Sequence, residues 1–558
     1  MKRFIILLIL FVAVSAHGAT YNYYFSDDAA GNAAGDNTTG DGTIENPWKT
    51  LQKAEDVMKV LADTDVVNLY FDRGDTWNFA TNVVENFSVE TGDPVVHIKA
   101  YGSGDRPVFQ GDISDFSAAD DDGDNSYNRW NRVFQIEVDD CSIDNIEIKD
   151  AYGDAITLEG IDGFTLSNSV IHNVGYSFLK ADDSAQNITA EHNILYDGQL
   201  LHLNSKLLSD FWGNGISFFN QGGGPYSGNT IQYNLIYNVG GEAISAVNST
   251  IQYNVIGNSS SIALDLSTAN WDAGTTIARH NFIVMSDWSS GSGLAHETVG
   301  GPPDGIRVFD ESNCTSVPCT GPTGGSGDNS GADIQIYGNV IINRGYGIRV
   351  YSNDDTGNPF GAVKIYNNLV IDSHWANILI ADPEEFTNLY LYNNIFVFYD
   401  NGGDNVPHTT SFTPEAGWDI SNNLFYAASG SHTVDSDFDT GKVTTDPTLP
   451  GNAALDFGAL ASVAYAGGVV SVPVNYSTQL YPVAGDTIAG GITPTEFSPE
   501  TEFLTTGVDF NYVLSWPSLV EIDTAYQGTW DIGPWARGTS EPVPTYPIQG
   551  AAGNFKYN

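Results

Sequence analysis

Basic residues are scarce in this chain: 21 Lys and Arg stand against 69 Asp and Glu, for a net charge of −48. That balance excludes nucleic acid as a partner, because no basic stripe exists to release counterions. Cysteine is nearly absent, with three residues, and none falls at zinc-ligand spacing. After the first residues no apolar run is long enough to span a bilayer, so no membrane partner is expected. Helical periodicity is missing along most of the chain, which argues against a bundle or an α/β fold.

What is present begins with an export signal. Lys2-Arg3 form a basic start, Phe4 to Val14 a short apolar stretch, and Ser15-Ala16-His17-Gly18-Ala19 a small-residue cleavage region. Residues 1–19 therefore read as a signal peptide, and the mature chain as secreted, extracellular or periplasmic. In that oxidising setting Cys314 and Cys319, within Asn313-Cys-Thr-Ser-Val-Pro-Cys-Thr320, are expected to pair. Cys141 lies in a strand-like run and is expected to pack as a small apolar residue.

The strongest signal is a repeated phrase: apolar, polar, aromatic or polar, Asn, then two or three apolar residues. It reads Ile231-Gln232-Tyr233-Asn234-Leu235-Ile236 and again Ile251-Gln252-Tyr253-Asn254-Val255-Ile256. It returns around Asn193, Asn281, Asn339, Asn368, Asn394 and Asn423. A period of about 20–30 residues with β-type alternation signals a solenoid of stacked β-coils. Asn suits a tight corner, because it tolerates the left-handed region and its side chain can bond the next coil. The expected fold is all-β, a right-handed parallel β-helix with an N-terminal capping helix at about 50–62 and a C-terminal cap. Its parts are 20–131 as N-terminal cap and first strands, 132–446 as helix repeats, and 447–558 as cap and tail.

A short apolar strand follows most Asn corners. Aligned on Ile156, Phe178, Ile216, Ile244, Ile262, Ile306, Ile348 and Ile378, it points the next residue outward. That column holds Thr157, Leu179, Ser217, Ser245, Ala263, Arg307, Arg349 and Leu379, and two positions on come Phe309 and Tyr351. The longest insertions flank these strands, which makes them the floor of a trough. Arg307 and Arg349 stand on consecutive coils, about 4.8 Å apart by sheet spacing. Either they hold an anionic sugar group in fork geometry, or Asp265, Asp304, Asp310 or Glu311 simply pair with them; the two readings can coexist. An acidic substrate would be repelled by the global charge, so local cations or bound calcium must compensate.

The segment Pro47-Trp-Lys-Thr-Leu-Gln-Lys-Ala54, then Arg73-Gly-Asp-Thr-Trp77, then Ala100-Tyr-Gly-Ser-Gly104 and Pro107, resembles the N-terminal cap of secreted right-handed β-helix proteins. That group includes pectate-lyase-like, chondroitinase-B-like and alginate-lyase-like enzymes. The resemblance covers about 21–450 and implies a carbohydrate-active enzyme, foremost a polysaccharide lyase attacking an acidic glycan by β-elimination, and a monomer. A glycoside hydrolase and a non-catalytic glycan-binding protein are the alternatives on the same scaffold.

Elimination needs a cation or metal on the carboxylate, a base for the α-proton and an acid for the leaving oxygen. Arg307 and Arg349 suit the first role. Tyr351, His296, His202 and Lys206 are candidates for the others. Ser245, Phe309, Asp304 and Asp310 are candidate substrate contacts. In chondroitinase-B-like lyases Ca²⁺ is held by Asn and two Glu. Gly241-Glu242-Ala-Ile-Ser245 is similar to that segment, but the second Glu and the nearby Lys are absent. Glu242 and Asp265 are the candidate calcium ligands. A hydrolase would need paired carboxylates in the trough, for which Asp265, Asp304 and Asp310 are the candidates. Alternating acids at Asp120, Asp122, Asp124 and at Asp435, Asp437, Asp439 read either as calcium loops or as solvated turns. His172, His192 and His280 lie at or beside the Asn corners and read as structural.

Overall fold

The computed structural model describes residues 18–27, 34–79, 86–111, 132–182, 185–200, 214–218, 227–266, 274–284, 304–310, 333–342, 345–352, 362–373, 375–380, 388–398 and 418–427, with Thr444 and two short strands near 464–471. These form a parallel β-helix. Three sheets run the length of the stack, with 13, 12 and 10 described strands, and every neighbouring pair within them is parallel. Among the described residues no helix is long and apolar enough to cross a membrane.

One coil illustrates the others. Asn229–Gln232 lies in the 13-stranded sheet, Leu235–Val239 in the 12-stranded sheet and Glu242–Ala246 in the 10-stranded sheet. Ile231, Ile236 and Ile244 point into the stack and are sealed from solvent. A fully buried side chain of this size contributes about 1.5–3 kcal/mol. One coil has too few of them to close a core, so neighbours must stack.

The Asn corner lies between the first two sheets. In each of Asn193, Asn234, Asn254, Asn281, Asn339, Asn368 and Asn394, the side-chain amide and the backbone N–H both donate to Oδ1 of the next Asn, at 2.9–3.1 Å. The ladder ends at Asn423. Each amide also donates to a backbone carbonyl of the coil before, as Asn254 does to Ile231. All eight side chains are buried and their groups are mutually satisfied, which burial demands.

The left-handed residue is not the ladder Asn, as the sequence suggested, but the one before it: His192, Tyr233, Tyr253, His280, Gly338, Asn367, Asn393 and Asn422 have φ between 55 and 65°. The Asn is needed for its amide, and the turn is absorbed one position earlier. That leaves the left-handed position open to rings, and His192, Tyr233, Tyr253 and His280 stack on one another at 5.0–5.2 Å. The stack ends where His280 meets Tyr337 edge-on, and a Cβ at Gly338 would come 2.3 Å from His280 Nδ1. Only glycine fits there.

The N-terminal helix is Leu51–Met58, capped by Thr50, whose hydroxyl accepts from Lys53 N–H at 3.3 Å. It buries Leu51, Ala54, Val57 and Met58. Parallel strands reach back to Thr20–Phe25, earlier than the repeated phrase, because the first coils stack without ladder Asn. Phe25, Phe71, Phe109 and Phe134 pack ring against ring through these coils at 4.9–5.0 Å, the first pair stacked, the second edge-on and the third tilted. Cys141 is buried in the strand Cys141–Asp144, and burial pushes its thiol up to about 12. The signal segment up to residue 17, most of the tail past 446, both alternating acidic runs, and Cys314 and Cys319 lie outside the described residues.

Candidate functional site

The outward column of the 10-stranded sheet differs from the one aligned on sequence. Ile156 pairs with Leu179, not Phe178, and Ile244 pairs with Leu264, not Ile262. The strands Glu242–Ala246 and Ile262–Asp265 are buried at every position, so a period-two reading has no unique anchor. In the true register Leu179 and Ala263 leave the column, and Lys180 and Asp265 enter it. Gln135, Thr157, Lys180, Ser217, Ser245, Asp265, Arg307 and Arg349 then stand on eight consecutive coils, followed by Leu379. The floor is polar over its whole length until that last residue.

Arg307 is placed over two acids by this register. Its Nε donates to Asp265 Oδ1 at 3.0 Å and its Nη2 to Asp265 Oδ2 at 2.6 Å, and Nη2 also reaches Glu242 Oε1 at 3.0 Å. Burial works against the Arg307 charge. The carboxylates of Asp265 and Glu242 outweigh it and hold the group well above its ordinary pKa. The candidate calcium ligands Glu242 and Asp265 thus both face a guanidinium. As arranged they are a poor fit for Ca²⁺, because the ion would have to share these oxygens with a cation already in contact.

Arg349, one coil on, is held more loosely. It makes one ion pair, Nη1 to Asp304 Oδ2 at 3.4 Å, and its buried Nε has no hydrogen-bond partner. Its side chain is 25% exposed, against 14% for Arg307. Aromatic faces surround it. The guanidinium lies 4.0 Å from the centre of the Tyr351 ring and 5.3 Å from that of Tyr346. Tyr351 stacks on Phe309 at 4.4 Å, and Tyr346 meets Trp375 edge-to-face at 5.4 Å. Trp375 is 40% exposed, one of few large apolar side chains described at the surface.

Burial raises the Tyr351 phenol above its ordinary pKa, and Arg307 and Arg349 only partly offset this. The group is therefore protonated at neutral pH and suited to donate. Asp304 heads the strand of Arg307 and pairs with Tyr346. Ser245 sits in the column, nearly sealed. Asp310 ends the strand Asp304–Asp310, opposite Ser352; its side chain lies outside the described residues, as do Glu311, His202, Lys206 and His296. His172 stacks on Tyr196, and His192 and His280 belong to the ring stack, all away from this face. Lys180, Tyr346 and Trp375 went unrecognised as site residues. Lys180 follows at once from reading Leu179 as buried.

No protein-family model and no curated protein matches the chain. Among solved structures it is similar to a pectate lyase, with 11% identity over 94% of this chain and 98% of that one and a TM-score of 0.43. It is similar to an alginate lyase from Paenibacillus, with 14% identity over 61% and 95% and a TM-score of 0.37. It is also similar to a rhamnogalacturonan lyase, with 14% identity over 75% and 90% and a TM-score of 0.40. The likeness is one of scaffold.

Proposed function

We propose that the chain is an exported carbohydrate-active enzyme that cleaves an acidic polysaccharide by β-elimination in this trough. The observation that carries the reading is Arg349: a cation with an unpartnered buried Nε, ringed by aromatic faces, in a chain with few cations. A uronate carboxylate at Arg349 would have its charge neutralised, which acidifies the adjacent C–H. Tyr351, protonated and next to that cation, is placed to donate to the leaving oxygen. His202, Lys206 and His296 are the candidates for the base. Arg307 ties Asp265 and Glu242 together across neighbouring coils and lies over the Phe309 ring. Trp375 offers an adjoining face for a sugar ring.

A hydrolase is less well supported, because the carboxylates described on this face are engaged: Asp265 and Glu242 by Arg307, Asp304 by Arg349, Asp182 by Lys180 and Glu159 by Arg132. The test is a panel of acidic polysaccharides, each assayed with and without a chelator. Ultraviolet-absorbing unsaturated product supports elimination. New reducing ends without that absorbance replace it with hydrolysis, and binding without turnover replaces it with a glycan-binding role. Loss of activity in chelator would restore a calcium requirement.

A further inference from the structure

Lys180 occupies the same outward column as Arg349, five coils away. At about 4.8 Å per strand the two cations stand roughly 24 Å apart along the trough. They are matched in form. The Lys180 side chain is 24% exposed and makes one direct ion pair, Nζ to Asp182 Oδ2 at 2.8 Å. Arg349 is 25% exposed and likewise makes one. Arg307, between them, is spent on two acids.

The surroundings of Lys180 are built. Asp154 is buried and acts on the Lys180 charge, with Oδ1 accepting from Ser177 N–H at 3.0 Å and Oδ2 from Thr157 Oγ1 at 3.4 Å. Burial opposes the charge on Lys180, but Asp154 and Asp182 more than restore it, so the ammonium stays charged. A lysine so held is no proton acceptor. It is a fixed positive post at the trough surface. Between Lys180 and Arg349 the column carries the uncharged Ser217 and Ser245 and the Asp265–Arg307 ion pair, so the two cations are separated by a stretch without a further cation of their kind.

Resting on the lyase reading above, we propose that Lys180 is a second anion-binding post, so that the trough takes an extended, repeatedly charged glycan along the solenoid axis rather than a single terminal unit. Two weak posts on one ligand act together, because binding at the first raises the effective concentration at the second.

The experiment is a binding series with uronate oligosaccharides of increasing length, in a Tyr351→Phe background so that ligand survives. Affinity should step up once the oligosaccharide spans about 24 Å. Lys180→Gln should remove the step, about tenfold in affinity, and leave short oligosaccharides unchanged, since losing one charge-assisted hydrogen bond is of that order. Lys180→Arg should keep the step, and melting temperatures identify any variant that fails through folding. Equal weakening at every length, or no step in the parent while short oligosaccharides still bind through Arg349, overturns the second post and leaves the lyase reading standing. No binding at any length overturns both.

Discussion

The two arginines of the trough face opposite fates on truncation, and the contrast tests the site directly. Arg307→Ala strands Asp265 and Glu242, whose side chains are each only 3% exposed. Removing one partner of a buried ion pair costs about 3–5 kcal/mol, because the other charges remain in low dielectric. Three hydrogen bonds go with it. The variant should therefore unfold at clearly lower denaturant, whatever its activity. Arg349→Ala removes one longer ion pair of 3.4 Å from a side chain that is 25% exposed; its partner Asp304 is itself buried, so a loss is expected, but a smaller one than at Arg307, which gives up three hydrogen bonds to two acids. Its fold should survive. If Arg349 neutralises the substrate carboxylate, turnover should fall about a hundredfold, or roughly 3 kcal/mol of transition-state stabilisation. Arg349→Lys should recover only part, since it restores charge but not the planar fork. The assay is initial rate of ultraviolet-absorbing product per folded molecule, with urea unfolding on the same preparations. Full turnover in Arg349→Ala would refute the assignment of the trough. An unchanged unfolding midpoint in Arg307→Ala would refute the chelate.

Asn281→Ala should be among the most destabilising changes in the stack. It takes the acceptor from the Asn254 N–H and one of two acceptors from the Asn254 amide, and removes the donor to the Ile251 carbonyl; a buried N–H left unsatisfied costs about 1–3 kcal/mol, and urea unfolding reads the loss. His280 is kept neutral by burial, its pKa pulled from 6.5 down to about 3. The unfolded chain takes up a proton as pH falls through 6.5 and the folded chain does not. The contribution of His280 is therefore whole above 6.5 and lost progressively toward pH 3. The gap in unfolding midpoint between the parent and His280→Phe should narrow or invert on going from neutral to acid; an unchanged gap contradicts this. Trp375→Ala should raise KM about fivefold with kcat nearly unchanged, the cost of one lost stacking face. An equal fall in kcat would place Trp375 in the chemistry instead.

The solenoid was legible because its spine repeats a residue whose side chain does the repeating. Asn234 and Asn254 stand in the same phrase because each must satisfy the next. The left-handed residue was misplaced because Asn is itself a common left-handed residue, and sequence alone does not say which of Tyr233 and Asn234 turns the chain. The side-by-side placement of Arg307 and Arg349 was legible, because Gly-Ile-Arg-Val repeats in register. Asp265 was legible as an acid that could pair with Arg307, but its place in the same column was not, because Ile262, Ala263 and Leu264 are all buried and any could have anchored the strand. Lys180 was hidden by the same ambiguity at Phe178 and Leu179.

Consecutive ladder Asn are 41, 20, 27, 58, 29, 26 and 29 residues apart, yet every rung has the same geometry. The surplus residues of the two longest intervals, 201–213 with 219–226 and 285–303 with 311–332, adjoin in sequence the strands Asn214–Phe218 and Asp304–Asp310 of the 10-stranded sheet. The amide column thus works as a chassis indifferent to what is bolted on its far side. Lineages could rebuild the rim of the trough without renegotiating the fold. An engineer could do the same: a segment grafted between Val284 and Asp304 should change what the trough accepts while the rungs at Asn281 and Asn339 stay where they are.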